Sequence, residues 1–213
     1  MNATTQRQTI AGPAGVIECA IDLPAPGSAA RGVALLCHPH PLHGGTMDNK
    51  VVHTLARALV QLGWRVLRFN FRGVGGSAGQ WDAGRGEIDD ALAVIQAFRA
   101  PNEPLALGGF SFGASIASHV ASHVASQLAQ RLLGHEAVQH LVLVAPAVEN
   151  FPLTNVSPDT LVVHGENDEI VPLAALLRWA ASQGLPVQVI PGATHFFHGQ
   201  LPLLKRVVLN AWR

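Results

Sequence analysis

Leu105-Ala106-Leu107-Gly108-Gly109-Phe110-Ser111-Phe112-Gly113-Ala114 is the stretch on which the fold turns. Leu105 to Phe110 is short, uncharged and apolar, which predicts a buried strand. A helical segment from Ala114 to Leu133 follows directly. Across the junction, Gly109-Phe110-Ser111-Phe112-Gly113 fits G-x-S-x-G, a pattern whose meaning depends on a strand before it and a helix after it. A serine at so sharp a turn must adopt a strained backbone, and glycine two residues to either side relieves the crowding. The turn leaves the hydroxyl at the carboxyl end of a sheet, where open α/β sheets bind ligands, with free N–H groups in the first helical turn. An incidental serine in a glycine-rich turn is the bland alternative, and the strand–helix context favours a nucleophile.

Working outward, short apolar runs alternate with segments of helical period. Gly32 to His38, Trp64 to Phe71, Leu141 to Ala145, Leu161 to His164 and Val187 to Ile190 read as strands. Asp48 to Leu62, Glu87 to Arg99, Leu173 to Ser182 and the end from about Leu203 read as helices. Val16 to Leu23 adds a strand or two at the edge. Such alternation implies parallel strands joined by crossover helices, hence a three-layer α/β architecture with helices on both faces of a mostly parallel sheet. Residues 1–213 are expected to form one domain, because Pro146 to Pro158, the longest interruption, is too short for a cap domain.

Composition narrows the class. With 213 residues, 48% of them hydrophobic and only 13% charged, the chain has the material for a core and none of the signature of disorder. Fourteen basic and fourteen acidic residues balance, so no single-sign field would draw a nucleic acid or an anionic membrane. Two cysteines, Cys19 and Cys37, do not make a disulfide framework. The polar opening MNATTQRQTI is unlike a signal peptide, and no apolar run is long enough to span a bilayer. A cytoplasmic protein without nucleic-acid or membrane partners is expected; its low charge is compatible with a homodimer.

A serine is a poor nucleophile without a base, itself oriented by an acid. Val163-His-Gly-Glu-Asn-Asp-Glu-Ile-Val-Pro172 leaves a strand end and offers Glu166, Asp168 and Glu169. Asp168 is favoured because Ile170-Val171-Pro172 would dock the loop beside it. Pro191-Gly-Ala-Thr-His-Phe-Phe-His198 follows the last strand, and His195 leads His198 because it precedes the aromatic pair.

With these residues in order, the chain resembles the α/β-hydrolase superfamily, and most of all the small cap-free bacterial serine hydrolases akin to dienelactone hydrolase and short-chain carboxylesterases. The resemblance runs from Arg31 onward and rests on HPHPLHGGTMDNKVV (38–52), FRGVGGSAG (71–79), GFSFG (109–113), HGENDEIVP (164–172) and GATHFF (192–197). It implies a Ser111–Asp168–His195 triad and an oxyanion hole from the Phe112 N–H and a second N–H in the loop after Leu36. Where relatives carry His-Gly, this chain has His38-Pro39-His40-Pro41. Proline lacks an N–H, which leaves His40 as the candidate donor. The implied activity is hydrolysis of small or short-chain carboxylic esters through an acyl-serine, without metal or organic cofactor. Thioesters, lactones and small amides are alternatives. Trp81 and Phe196 are candidate substrate-wall residues.

Rival readings of the same residues are weaker. His38-x-His40-x-x-His43 suggests a metal motif, but Leu42 stands where its aspartate belongs. His119 and His123 share a helix face without the glutamate of HExxH, and the repeat SHVASHVAS (118–126) reads as a packing segment of small residues. Gly73-Val-Gly-Gly-Ser-Ala78 loosely matches a dinucleotide fingerprint, yet Gly79, Gly84 and Gly86 continue the loop where a helix should open. Arg72 is expected to pin that loop. A non-catalytic binding module on the same scaffold is the alternative from a different functional class.

Overall fold

The computed structural model describes residues 5–131 and 138–212. Its centre is an eight-stranded sheet: β1 (Thr5–Gly12), β2 (Gly15–Asp22), β3 (Val33–Cys37), β4 (Arg65–Phe69), β5 (Leu105–Phe110), β6 (Val138–Val144), β7 (Leu161–Gly165) and β8 (Val187–Ile190). The order across the sheet is β1-β2-β4-β3-β5-β6-β7-β8. β1 and β2 form an antiparallel hairpin, β2 runs antiparallel to β4, and every pairing from β4 to β8 is parallel. The helices are α1 (Lys50–Gln61), α2 (Arg85–Phe98), α3 (Phe112–Arg131), α4 (Leu173–Ser182) and α5 (Leu201–Ala211). The predicted end of the third helix, residues 132–133, lies outside the described residues.

Side chains along the central strands alternate between two cores. Leu36, Val66, Phe110, Val144 and Val163 face α1 and α5, whereas Leu35, Leu67, Leu107 and Leu143 face α2 and α3. Because both faces are covered, β3 and β5 are buried at every position, which is why they read as continuous apolar runs. Among the described residues no helix is long and apolar enough to cross a membrane.

Strand order creates the site. From β3 the chain steps outward to β4, then returns past β3 to β5. The two loops that leave the carboxyl ends of β3 and β5 therefore diverge to opposite sides and open a crevice between them.

The structure adds detail at three places. The edge begins with a full hairpin whose first strand, Thr5–Gly12, the sequence pattern does not announce, since it is exposed on both faces from Gln6 to Thr9 and shows no apolar alternation there. The second helix starts at Arg85, two residues before the expected Glu87, because Glu87 occupies its third position and accepts from the Gly84 N–H (2.8 Å) and the Asp82 N–H (3.0 Å). Gly86 thus belongs to the helix and not to the preceding loop. The polar side of β4 is also covered: Arg68 is fully buried, its Nε donating to Asp22 Oδ2 (2.7 Å) and its Nη1 to the Met47 carbonyl (2.9 Å) and to Asp48 Oδ1 (3.0 Å).

Candidate active site

Ser111 sits between β5 and α3 with φ of 56°, in the left-handed region that a non-glycine residue adopts only at a cost. Its N–H is tied to the Val144 carbonyl at 2.9 Å, so the strain is held from the neighbouring strand. The flanking glycines answer to close approaches. A Cβ on Gly109 would lie 2.1 Å from the Gly113 carbonyl oxygen, and one on Gly113 would lie 2.3 Å from that of Cys37. The start of α3 therefore folds back on β5 and presses against the end of β3, which brings the β3 loop to the serine.

The acid loop leaves β7 at Gly165. Asp168 Oδ1 accepts from the Ile170 N–H (2.9 Å) and the Val171 N–H (2.7 Å), leaving Oδ2 to His195 Nδ1 at 2.7 Å. Both side chains are buried. Burial alone would raise the carboxyl's pKa, but the hydrogen bonds from His195, Val171 and Ile170 outweigh it and hold Asp168 below the ordinary carboxylate range. The competing acids have other tasks: Glu166 Oε2 accepts from Gly192 N–H (2.8 Å) and Glu169 Oε2 from His195 N–H (3.2 Å), each fastening the histidine loop.

His195 meets the serine's strand through Phe110, whose ring centroid lies 4.9 Å from that of the imidazole. The structure thus joins acid and imidazole by a direct hydrogen bond and sets the imidazole against the residue preceding Ser111. Among the described residues the Ser111 hydroxyl makes no hydrogen bond to His195, a contact that in unliganded sites is often long and tightens around substrate. His198 is exposed, two ring contacts removed through Phe196.

At the end of β3, His38 is buried with its Nδ1 paired to the Pro39 carbonyl (2.6 Å) and its Nε2 accepting from the Phe71 N–H (3.1 Å). This pattern places the proton on Nδ1 and keeps the ring neutral; burial lowers its pKa to about 4. His38 therefore locks the loop to the end of β4. His40, next along, has φ of −51° and accepts the Leu42 N–H at its Nδ1 (3.2 Å). Among the described residues the backbone N–H groups of His40 and Phe112 have no protein acceptor.

The His40 ring is surrounded by those of His43 (4.4 Å), Trp81 (4.5 Å), Phe151 (5.2 Å) and Phe112 (5.3 Å). Trp81 also borders a surface cleft of about 360 Å³ with Pro41, Leu42 and Gln80. Phe196 takes the other side, half-buried against Phe110 and His195. Arg72 pins the glycine-rich loop by a two-pronged contact with Asp90, Nε to Oδ2 at 3.0 Å and Nη2 to Oδ1 at 2.8 Å.

Sequence reasoning missed two participants. Phe151 lies in the segment after β6, where no motif marks it; only the backbone path carries it to Phe112 (4.8 Å). His164, at the end of β7, is buried with Nε2 bonded to the Val171 carbonyl (2.9 Å) and 3.5 Å from Asp168 Oδ2, while its Nδ1 has no partner. Its place at a strand end before the acid loop was a visible signal.

A family model for the alpha/beta hydrolase fold matches residues 42–157. An uncharacterized protein of Rickettsia prowazekii (strain Madrid E) is 35% identical over 182 residues, which cover 78% of this chain and 71% of that protein. Among solved structures, an α/β serine hydrolase without lid from Xanthomonas campestris is 37% identical, with 99% of this chain and 94% of that chain covered and a TM-score of 0.86. An α/β serine hydrolase homologue from Coxiella burnetii is 40% identical, with 96% of each chain covered and a TM-score of 0.83.

Proposed function

Because the chain belongs to the α/β-hydrolase fold family, we propose that it is a serine hydrolase cleaving small or short-chain carboxylic esters through an acyl-Ser111 intermediate. The observation that carries this reading is the 2.7 Å bond from Asp168 to His195 Nδ1, on an imidazole packed beside the strained Ser111 turn.

In the proposed reaction His195 Nε2 takes the Ser111 proton as Oγ bonds to the ester carbonyl carbon. The carbonyl π electrons move to oxygen, and the N–H groups of Phe112 and His40 stabilise that charge. Each such donor typically contributes about 2.7–4 kcal/mol to lowering the barrier. Collapse breaks the bond to the leaving oxygen, which receives the proton from His195. Water, deprotonated by His195, then attacks the acyl carbon; the bond to Ser111 Oγ breaks, Oγ takes the proton back from His195, and the acid is released. Asp168 keeps the imidazole in the tautomer with its proton on Nδ1 and stabilises the imidazolium. The neutral thiol of Cys37, buried and with its pKa raised, is no competing nucleophile. Thioesters, lactones and small amides suit the same groups.

An organophosphonate probe combined with p-nitrophenyl esters of increasing acyl length tests this. The expected result is a covalent adduct on Ser111, turnover falling as the acyl chain lengthens, and a loss of about 10⁴-fold or more in Ser111→Ala with the fold retained. No adduct, or substantial activity in Ser111→Ala, refutes the reading; the former would favour a binding module.

A further inference from the structure

Two separate groups of rings flank the serine. Phe110, before it, belongs to the core facing α1 and α5 and contacts His195 and Phe196. Phe112, after it, belongs to the opposite core and contacts His40, Trp81 and Phe151. Among the described residues no ring contact joins the two groups. The sheet plane thus divides the site into a half that contains the imidazole and a half that contains the aromatic cluster.

The two halves have different chemical duties. The leaving oxygen must lie within reach of His195, so the alcohol portion of an ester occupies the imidazole half. The acyl substituent then points to the other side. There the two candidate oxyanion donors, His40 and Phe112, carry side chains that are themselves members of the cluster. A carbonyl held by their N–H groups places its acyl substituent beside the half-buried faces of His40, Trp81 and Phe151. The nearby cation is unavailable for a carboxylate, because the Arg72 guanidinium is engaged by Asp90. The wall is aromatic.

From this we propose that the acyl half takes an aromatic ring, so that the preferred substrates are esters of small aryl-carboxylic acids, such as arylacetic acids, with short alcohols. This rests on the serine-hydrolase reading above. Aromatic rings meeting edge-to-face or offset gain interaction beyond the area they bury, and a saturated ring of similar size does not.

Four esters test the proposal: methyl phenylacetate against methyl cyclohexylacetate, and phenyl acetate against cyclohexyl acetate. Each kcat/KM is normalised to that ester's hydroxide-catalysed rate. The expected result is a three- to tenfold preference for phenyl over cyclohexyl in the acyl pair and about none in the alcohol pair, from the usual strength of aromatic contacts. Trp81→Leu and, separately, Phe151→Leu should bring the acyl ratio towards one while leaving the phenyl-to-cyclohexyl ratio of the alcohol pair where it is in the unsubstituted protein. Equal normalised rates in the acyl pair, or a preference unchanged in both variants, overturn the aryl assignment while phosphonate labelling of Ser111 leaves the hydrolase reading standing. Absence of both labelling and turnover of all four esters overturns the two together.

Discussion

His164 and His38 are both buried imidazoles, yet they act on the site in different ways. His164 donates from Nε2 to the Val171 carbonyl, and Val171 in turn donates its N–H to Asp168. It is a positioning residue for the acid. His164→Leu removes that donor and is expected to lower kcat about tenfold with little change in KM, whereas His164→Gln, which keeps a donor at similar reach, should restore most of it; steady-state kinetics on one ester checks this. His38 has a free-chain pKa of 6.5 and a folded one of about 4, so between these values the unfolded state binds the proton and stability falls as pH is lowered. Above 6.5 both states are neutral and the effect vanishes. The His38 share of the loss from pH 7 to pH 5 is expected to be about 2 kcal/mol, read by urea denaturation as the difference between the unsubstituted protein and His38→Gln.

At the scale of elements, the most instructive case is α3. Its repeated small residues suggest close packing alone, but in the folded chain the serines also fasten the segment after β6. Ser115 Oγ donates to the Phe151 carbonyl (3.1 Å), Ser118 Oγ accepts from the Thr154 N–H (3.3 Å), and Thr154 Oγ1 donates to the Ser118 carbonyl (2.9 Å). His119 Nε2 pairs with the Pro152 carbonyl (2.9 Å). Helix α3 thus carries Ser111 at one end and steadies Phe151 along its side. Ser118→Ala combined with Thr154→Val removes two bonds and should raise hydrogen exchange at residues 150–156 by about thirtyfold, at about 1 kcal/mol per bond, without affecting α1 amides. The elements themselves were legible to different degrees. Leu173–Ser182 and Val187–Ile190 match their predicted bounds. β1 escaped notice because an exposed edge strand needs no apolar alternation, only a partner to bond with.

Across the whole molecule, the buried Arg68 joins pieces remote in sequence: Asp22 of the edge hairpin, and Met47 and Asp48 of the loop that continues from His40. Neither Arg68 nor Asp22 retains appreciable contact with water. Removing Asp22 leaves the buried Nε and Nη2 of Arg68 without their carboxylate, with Asp48 still paired to Nη1 alone, so Asp22→Ala is expected to cost about 3 kcal/mol in chemical denaturation. Arg68→Met with Asp22→Leu should recover most of it.

Local order is what the amino-acid sequence determined by itself. The G-x-S-x-G turn, the alternation of buried runs with helical segments, and the succession of serine, acid and histidine all follow from steric and hydrophobic patterns that act over a few residues. Tertiary structure alone decided which face of the sheet each ring flanking Ser111 joins, and that His164 and Phe151 lie at the site. Those outcomes depend on strand order and on contacts between groups far apart in the chain. No local pattern encodes such contacts, because their energy exists only once the chain has closed on itself.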